Sequence, residues 1–135
     1  MSADEVDRSA TRLGLNVLIV DDSVAIRMIL QRALRHTDLP LEKVFEAGDG
    51  CAALEVLKKE QVSVILSDIN MPNMDGLELL AALKTNDLWA AVPVVIISTE
   101  GSQTKVMEAL RLGAKGFIKK PFVPDEIHDK LVKFF

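Results

Sequence analysis

Short apolar runs alternate along this chain with longer stretches whose apolar residues recur every three or four positions. Leu15-Asn16-Val17-Leu18-Ile19-Val20 reads as a first strand. Ile26, Ile29, Leu30, Ala33 and Leu34 then mark a helix, capped by Ser23 and ended by Asp38 to Pro40. Lys43-Val44-Phe45-Glu46-Ala47 forms a second strand before the Gly48-Asp49-Gly50 turn, and Ala53, Val56 and Leu57 place a second helix ending near Glu60. The third strand is Val62-Ser63-Val64-Ile65-Leu66-Ser67. Asp75 can cap the helix after it, with Glu78 three residues on and Leu77, Leu80 and Ala81 on its inner face, as far as Thr85 to Asp87. Pro93 introduces a fourth strand, Val94-Val95-Ile96-Ile97, which closes at Ser98-Thr99 before a helix with Val106, Met107 and Leu110 that stops at Gly113. Gly116-Phe117-Ile118 is a fifth strand. Pro124, Asp125 and Glu126 open a last helix, whose stripe of Ile127, Leu131 and Phe134 runs to the terminus.

Strands that are nearly continuous Val, Ile and Leu are buried on both faces, and helices of this length between them serve as right-handed crossovers. The pattern therefore predicts an α/β fold, a doubly wound five-stranded parallel sheet with five helices on both faces. At 135 residues the chain is the size of one domain and can bury a core without disulfide or metal staples. Residues 1–14 are polar and aperiodic and are expected to be a flexible N-terminal leader, with 15–135 as the folded domain.

Charge and composition narrow the partners. The 20 acidic and 16 basic residues leave a mildly acidic balance, and no basic stripe interleaves with aromatics, which argues against direct nucleic-acid binding. A single cysteine, Cys51, excludes an intramolecular disulfide and fits a reducing compartment. Neither the start of the chain nor any later stretch is apolar for long enough to enter a membrane, so a soluble cytoplasmic protein is expected.

In doubly wound sheets, ligands bind beyond the carboxyl ends of the strands, where the strand order reverses. That edge should carry Asp21, Asp22, Asp68, Ser98 and, just past the fifth strand, Lys120. Hydrophobic strands do not finish in clustered acids for packing reasons, so three carboxylates on two strand ends suggest metal-assisted phosphoryl transfer. Singly, each residue has a plainer reading. Asp68 and Asp21 could be caps, Asp75 a cap and nothing more, Ser98 and Lys120 ordinary strand-end and surface residues, and Phe117 part of the core. Met28, Met71, Met74 and Met107 read as packing fillers, and His36 and His128 as solvated or dipole-satisfying groups near helix ends.

Taken in order, four motifs resemble the receiver domains of bacterial two-component response regulators, and among them the single-domain chemotaxis regulators. They are Asp21-Asp22-Ser23, Asp68-Ile69-Asn70-Met71-Pro72-Asn73-Met74-Asp75-Gly76, Ser98-Thr99-Glu100 and Gly116-Phe117-Ile118-Lys119-Lys120-Pro121-Phe122. The likeness runs from about Asn16 to Phe135. It implies a flavodoxin-like strand order of 2-1-3-4-5. It also implies that Asp68 accepts a phosphoryl group from a histidine kinase, as an acyl phosphate on a nucleophilic carboxylate. Mg²⁺ would be held by Asp22 and Asp68, by Asp21 directly or through water, and by the backbone carbonyl of Asn70. Lys120 and Ser98 would contact the phosphoryl oxygens. Phe117 would then swing as Ser98 moves inward, remodelling the face of the fourth helix, fifth strand and fifth helix for a downstream protein.

Five positions bear on that resemblance. Phe117 stands where the best-known chemotaxis members carry tyrosine. Thr99 follows Ser98, and strand alternation counted from Lys120 favours Ser98 as the signalling hydroxyl. Lys119 precedes Lys120, and the family's Lys-Pro pair, a cis bond there, selects Lys120. Asn70 and Glu100 match the chemotaxis type, for which a short-lived mark and a phosphatase partner are expected. The implied protein is a monomer that catalyses only its own phosphorylation and dephosphorylation, in chemotaxis and flagellar motor control or in another phosphorelay. With the chain ending at Phe135 inside the last helix, no output domain is expected.

Two other functions remain open to the same residues. A small phosphatase built on Asp68 needs a second Asp two residues on, where Asn70 stands. A flavin or nucleotide binder needs a Gly-rich loop after the first strand, where Asp21 and Asp22 would repel phosphate.

Overall fold

The computed structural model describes residues 14–99 and 103–134. The expected leader lies outside them apart from Gly14, and so does Glu100. The elements, in chain order, are β1 (Leu15–Val20), α1 (Val24–His36), β2 (Leu41–Ala47), α2 (Gly50–Lys59), β3 (Val64–Ser67), α3 (Gly76–Lys84), β4 (Val94–Ser98), α4 (Gln103–Arg111), β5 (Gly116–Lys119) and α5 (Pro124–Leu131). The strands form one sheet in the order β2-β1-β3-β4-β5, every neighbouring pair parallel, as the family likeness implied.

Alternation along the strands divides the core in two. Val17, Ile19, Leu66, Val95, Ile97 and Ile118 face α1 and α5, against Leu30, Leu34, Ile127 and Leu131. Leu18, Val20, Ile65 and Ile96 face the other way, against Ala53, Leu57, Leu79, Leu80, Leu83 and Ala109 of α2, α3 and α4. Burial on both faces explains why β1, β3 and β4 read as continuous apolar runs. Each fully buried Leu or Ile contributes about 2 kcal/mol of hydrophobic stabilisation, so the central strands are fixed in register before any polar group is placed.

Side-chain caps set where the helices start. Ser23 Oγ accepts from Ile26 N–H at 3.2 Å. Asp75 and Glu78 form a reciprocal capping box, each side chain accepting the other's backbone N–H, at 2.8 and 3.0 Å. Asp49, read in the sequence only as a turn residue, caps α2 through Ala52 N–H at 2.8 Å.

The structure corrects several local expectations. β2 begins at Leu41, two residues earlier than its polar start suggested, and β3 begins only at Val64. Ser63 is turned to β1, donating its N–H to Asn16 O and accepting Asn16 N–H on its hydroxyl. α5 ends at Leu131 and passes into a 3₁₀ turn over Val132–Phe134. The buried stripe of α1 falls on Leu30, Ala33 and Leu34, which leaves Met28 and Ile29 about half exposed, at 50% and 48%. In α3, Leu79, Leu80 and Leu83 face inward while Ala81 is exposed. α4 buries only Ala109, and Met107 and Leu110 stand out from it. Met71 and Met74 do fill gaps beside the core, whereas Met28 and Met107 do not.

The Asp49 cap gives a pH-dependent prediction. Its carboxyl lies below its ordinary value of 3.8, held down first by the Ala52 N–H and then by the Asn73 side chain. Because the folded state favours the carboxylate, the cap's contribution is complete above pH 3.8 and is lost as the pH falls through the lowered folded value. In urea unfolding, Asp49→Ala is expected to cost about 1 kcal/mol at neutral pH, with the gap to wild type narrowing in acid. A gap that stays constant down to the acid transition would contradict this.

Candidate functional site

Register places the acids. Val20 of β1 is paired with Ser67 of β3, so the residues that follow, Asp21 and Asp68, leave the sheet side by side. Asp68 N–H donates to Val20 O at 2.9 Å and Asp21 N–H donates to Ala47 O at 3.0 Å, which extends the ladders one residue beyond the strands. Asp22, next along the chain, is exposed, whereas Asp21 is almost fully buried at 2%. Each of Asp21, Asp22 and Asp68 offers a carboxylate oxygen within 4.8 Å of the others, the one such group of possible metal ligands among the described residues.

Lys120 closes the cluster from the far side of the sheet. Ser98 and Lys119 are register partners, and Lys120 N–H donates to Ser98 O at 3.0 Å, which brings the lysine over the edge. Its ammonium lies 2.8 Å from Asp21 Oδ2 and 3.4 Å from Asp68 Oδ2, with the lysine side chain 10% exposed. At an effective dielectric of 20, two carboxylates that close repel by about 3.5 kcal/mol, and each lysine contact returns about 5 kcal/mol. The internal cation therefore offsets much of the repulsion but leaves the site net negative. The Lys120-Pro121 bond is cis.

Asp21 is held at every polar atom. Besides its N–H, its Oδ1 accepts Ser23 N–H at 2.9 Å, its Oδ2 meets Lys120, and its carbonyl accepts from the Arg27 guanidinium at 2.6 Å. Arg27, one turn into α1, also pairs with Glu46 at 2.8 Å. Sequence reasoning passed over it, although its spacing behind the acid pair puts it on the α1 face nearest β2. Asp68 has one oxygen on its neighbour's backbone, Oδ1 accepting Ile69 N–H at 2.7 Å, and the other near Lys120. α3 starts directly against the Asp68 backbone: a Cβ on Gly76 would collide with Asp68 O and stand 2.9 Å from Ile69 Cα, so position 76 needs glycine. Asn70 is exposed, its side-chain oxygen 3.4 Å from Lys105 Nζ on α4.

Face alternation separates the two candidate hydroxyls. Val94 and Ile96 share a core with the half-buried Phe117, while Val95 and Ile97 lie on the opposite face. Ser98 continues the first series and is fully buried, so it stands on the Phe117 side. Thr99 is exposed and borders an apolar cleft with Ile26, Ile29, Lys120, Pro121 and Phe122.

The donor set fits Mg²⁺. Magnesium takes hard oxygen ligands at about 2.1 Å in octahedral array, which puts ligand oxygens roughly 3 Å apart on an edge and about 4.2 Å apart when opposite. The acid oxygens lie within 4.8 Å of one another, so a pair at that limit would close by roughly 2 Å to share an edge. The arrangement can hold a cation beside an acceptor carboxylate, with a lysine ammonium on the other side.

Comparison with known proteins agrees with this geometry. The family model for the response regulator receiver domain matches residues 17–132. A chemotaxis protein CheY homolog of Campylobacter jejuni is 37% identical over 118 residues, 87% of this chain and 89% of that protein. Chemotaxis protein CheY-3 of Vibrio cholerae is 36% identical over 122 residues, 90% of this chain and 92% of that one. The solved structure of chemotaxis response regulator CheY4 of Vibrio cholerae superposes with a TM-score of 0.79 at 34% identity, covering 90% of this chain and 99% of that chain.

Removing the internal cation should expose the charge problem. Lys120→Met is expected to lose about 3 kcal/mol in urea unfolding without divalent ions, and added Mg²⁺ should recover more stability in the variant than in wild type. A loss under about 1 kcal/mol would show that the acids do not depend on the lysine.

Proposed function

The chain belongs to the response regulator receiver domain family, and on that footing we propose that Asp68 is its phosphoacceptor, served by Lys120, Ser98 and a Mg²⁺ held by Asp21, Asp22, Asp68 and the Asn70 carbonyl. The protein is a phosphoacceptor switch of two-component signalling, of the chemotaxis kind, and not a classical enzyme. The observation that carries the assignment to Asp68 is its place at the end of β3, beside the buried Asp21 that ends β1, with one oxygen 3.4 Å from the Lys120 ammonium that follows β5.

A histidine kinase is the expected donor. An Asp68 oxygen forms the new bond to phosphorus while the phosphorus–nitrogen bond of the donor phosphohistidine breaks, and the imidazole leaves with the electron pair. Bound Mg²⁺ would neutralise oxygens of the transferred group, the part such ions play in phosphoryl transfer. Lys120 shifts its charge from Asp21 toward the new phosphoryl oxygens, and the Ser98 hydroxyl donates to another of them. The rearrangement is passed to Phe117, which lies on the same face, and so to the surface of α4, β5 and α5, where a downstream protein binds. Phenylalanine at 117 makes that message one of packing alone, with no phenolic hydroxyl to offer. Control of the flagellar motor, a phosphatase that resets the switch, a monomeric state and a cytoplasmic location complete the reading. The lack of a helix long and apolar enough to cross a membrane among the described residues is in keeping with it.

Incubation with acetyl phosphate and Mg²⁺ is expected to add a single phosphoryl group to the wild type, seen by intact mass, and none to Asp68→Asn. An unmodified wild type, both here and with a phosphorylated chemotaxis kinase, would overturn the proposal, as would labelling that survives in Asp68→Asn.

A further inference from the structure

The loop that follows Asp68 is clasped to the turn between β2 and α2. Asp49 uses both carboxylate oxygens: Oδ1 caps α2, and Oδ2 accepts from the Asn73 side-chain amide at 2.7 Å. The next residue, Gly50, donates its N–H to Met74 O at 2.9 Å, and a Cβ there would stand 2.5 Å from the Met74 side chain, so the two segments meet without room to spare. Asn73 has φ of 65°, the one non-glycine in the left-handed region among the described residues. Asparagine tolerates that conformation better than most residues, yet it is strained and persists where its surroundings hold it. The Ala52 N–H first, and then the Asn73 side chain, hold the Asp49 carboxyl below its ordinary value. Within the loop, Met74 N–H reaches Pro72 O at 2.6 Å and Gly76 N–H reaches Ile69 O at 2.7 Å.

Asn70 lies between the strand end and the clasp, two residues after Asp68 and three before Asn73. A neutral carbonyl adds to cation affinity only when it is already in place, because ordering a loose loop on binding consumes the gain. Resting on the metal reading above, we propose that Asp49 and Asn73 are positioning residues for the Mg²⁺ site: their hydrogen bond fixes the loop that presents the Asn70 carbonyl, although neither side chain touches the ion.

Mg²⁺ dissociation constants from NMR amide-shift titrations test this, with thermal melts alongside. Asn73→Gly keeps the left-handed backbone and every charge while deleting the donor, and its Kd should rise about fivefold, less than for a group bonded directly to a metal ligand. Combining Asp49→Asn with Asn73→Asp exchanges donor and acceptor at unchanged net charge and keeps a capping side chain on α2. That pair should return the Kd to within about twofold of wild type. A purely structural bond would lower the melting temperature of Asn73→Gly and leave its Kd at the wild-type value, which overturns the proposal. A folded double variant that binds as weakly as Asn73→Gly overturns it too. A wild type with no saturable Mg²⁺ binding removes the metal reading itself, and the clasp with it.

Discussion

Three carboxylates crowded at the end of a sheet need a counter-cation, and this chain supplies one from its far end. Lys120 reaches Asp21 across 99 residues of sequence and Asp68 across 52. That contact requires β5 to lie outside β4, β4 beside β3, and β3 beside β1, so the ion pairs depend on the order of four of the five strands. It also requires flush strand ends: a slip of one residue in β3 would turn Asp68 to the opposite face. The burial of Asp21 makes the requirement strict, since a buried carboxylate without its partners is far costlier than an exposed one.

The same arrangement leaves the site unfinished in a useful way. One lysine offsets the repulsion of the acids without cancelling their charge, so a divalent cation has something to gain by binding. A phosphoryl group on Asp68 would compete with Asp21 for the same ammonium. Held at its N–H, carbonyl and both carboxylate oxygens, Asp21 is the least mobile member, while exposed Asp22 is free to meet an ion. Rigidity at one acid and freedom at its neighbour follow from adjacent positions at a strand end, where one side chain turns into the protein and the other into solvent.

Much of this was legible in the sequence because strand ends are marked by abrupt change. The shift from Val20 to Asp21 and from Ser67 to Asp68 locates the acids, and the alternation Ser98, Thr99 separates the hydroxyls. The strand order came from the family likeness, since nothing local in five similar apolar runs says which of them are neighbours. Helix faces were less legible. Leu79 and Leu83 are buried where Ala81 was expected, because alanines and leucines run around most of α3 and do not mark a single inner face. Contacts between loops were hidden altogether. Asp49 to Asn73 joins two turns whose approach has no periodic signature, and Arg27 reaches back from α1 to the Asp21 carbonyl. Gly76 appeared only as part of a motif, and the collision with Asp68 O gives its physical reason.

A crystal structure with Mg²⁺ and beryllofluoride bound tests the central claim most directly, because it shows where a phosphoryl mimic settles and what Lys120 does in response. Beryllium should sit on an Asp68 carboxylate oxygen, with Mg²⁺ beside it among Asp22, Asp68, the Asn70 carbonyl and Asp21, the last directly or through water, and with the Lys120 ammonium moved from Asp21 to a fluoride. Beryllium on any other side chain, or a Lys120 still paired with Asp21 while Asp68 carries the mimic, would contradict the assignment.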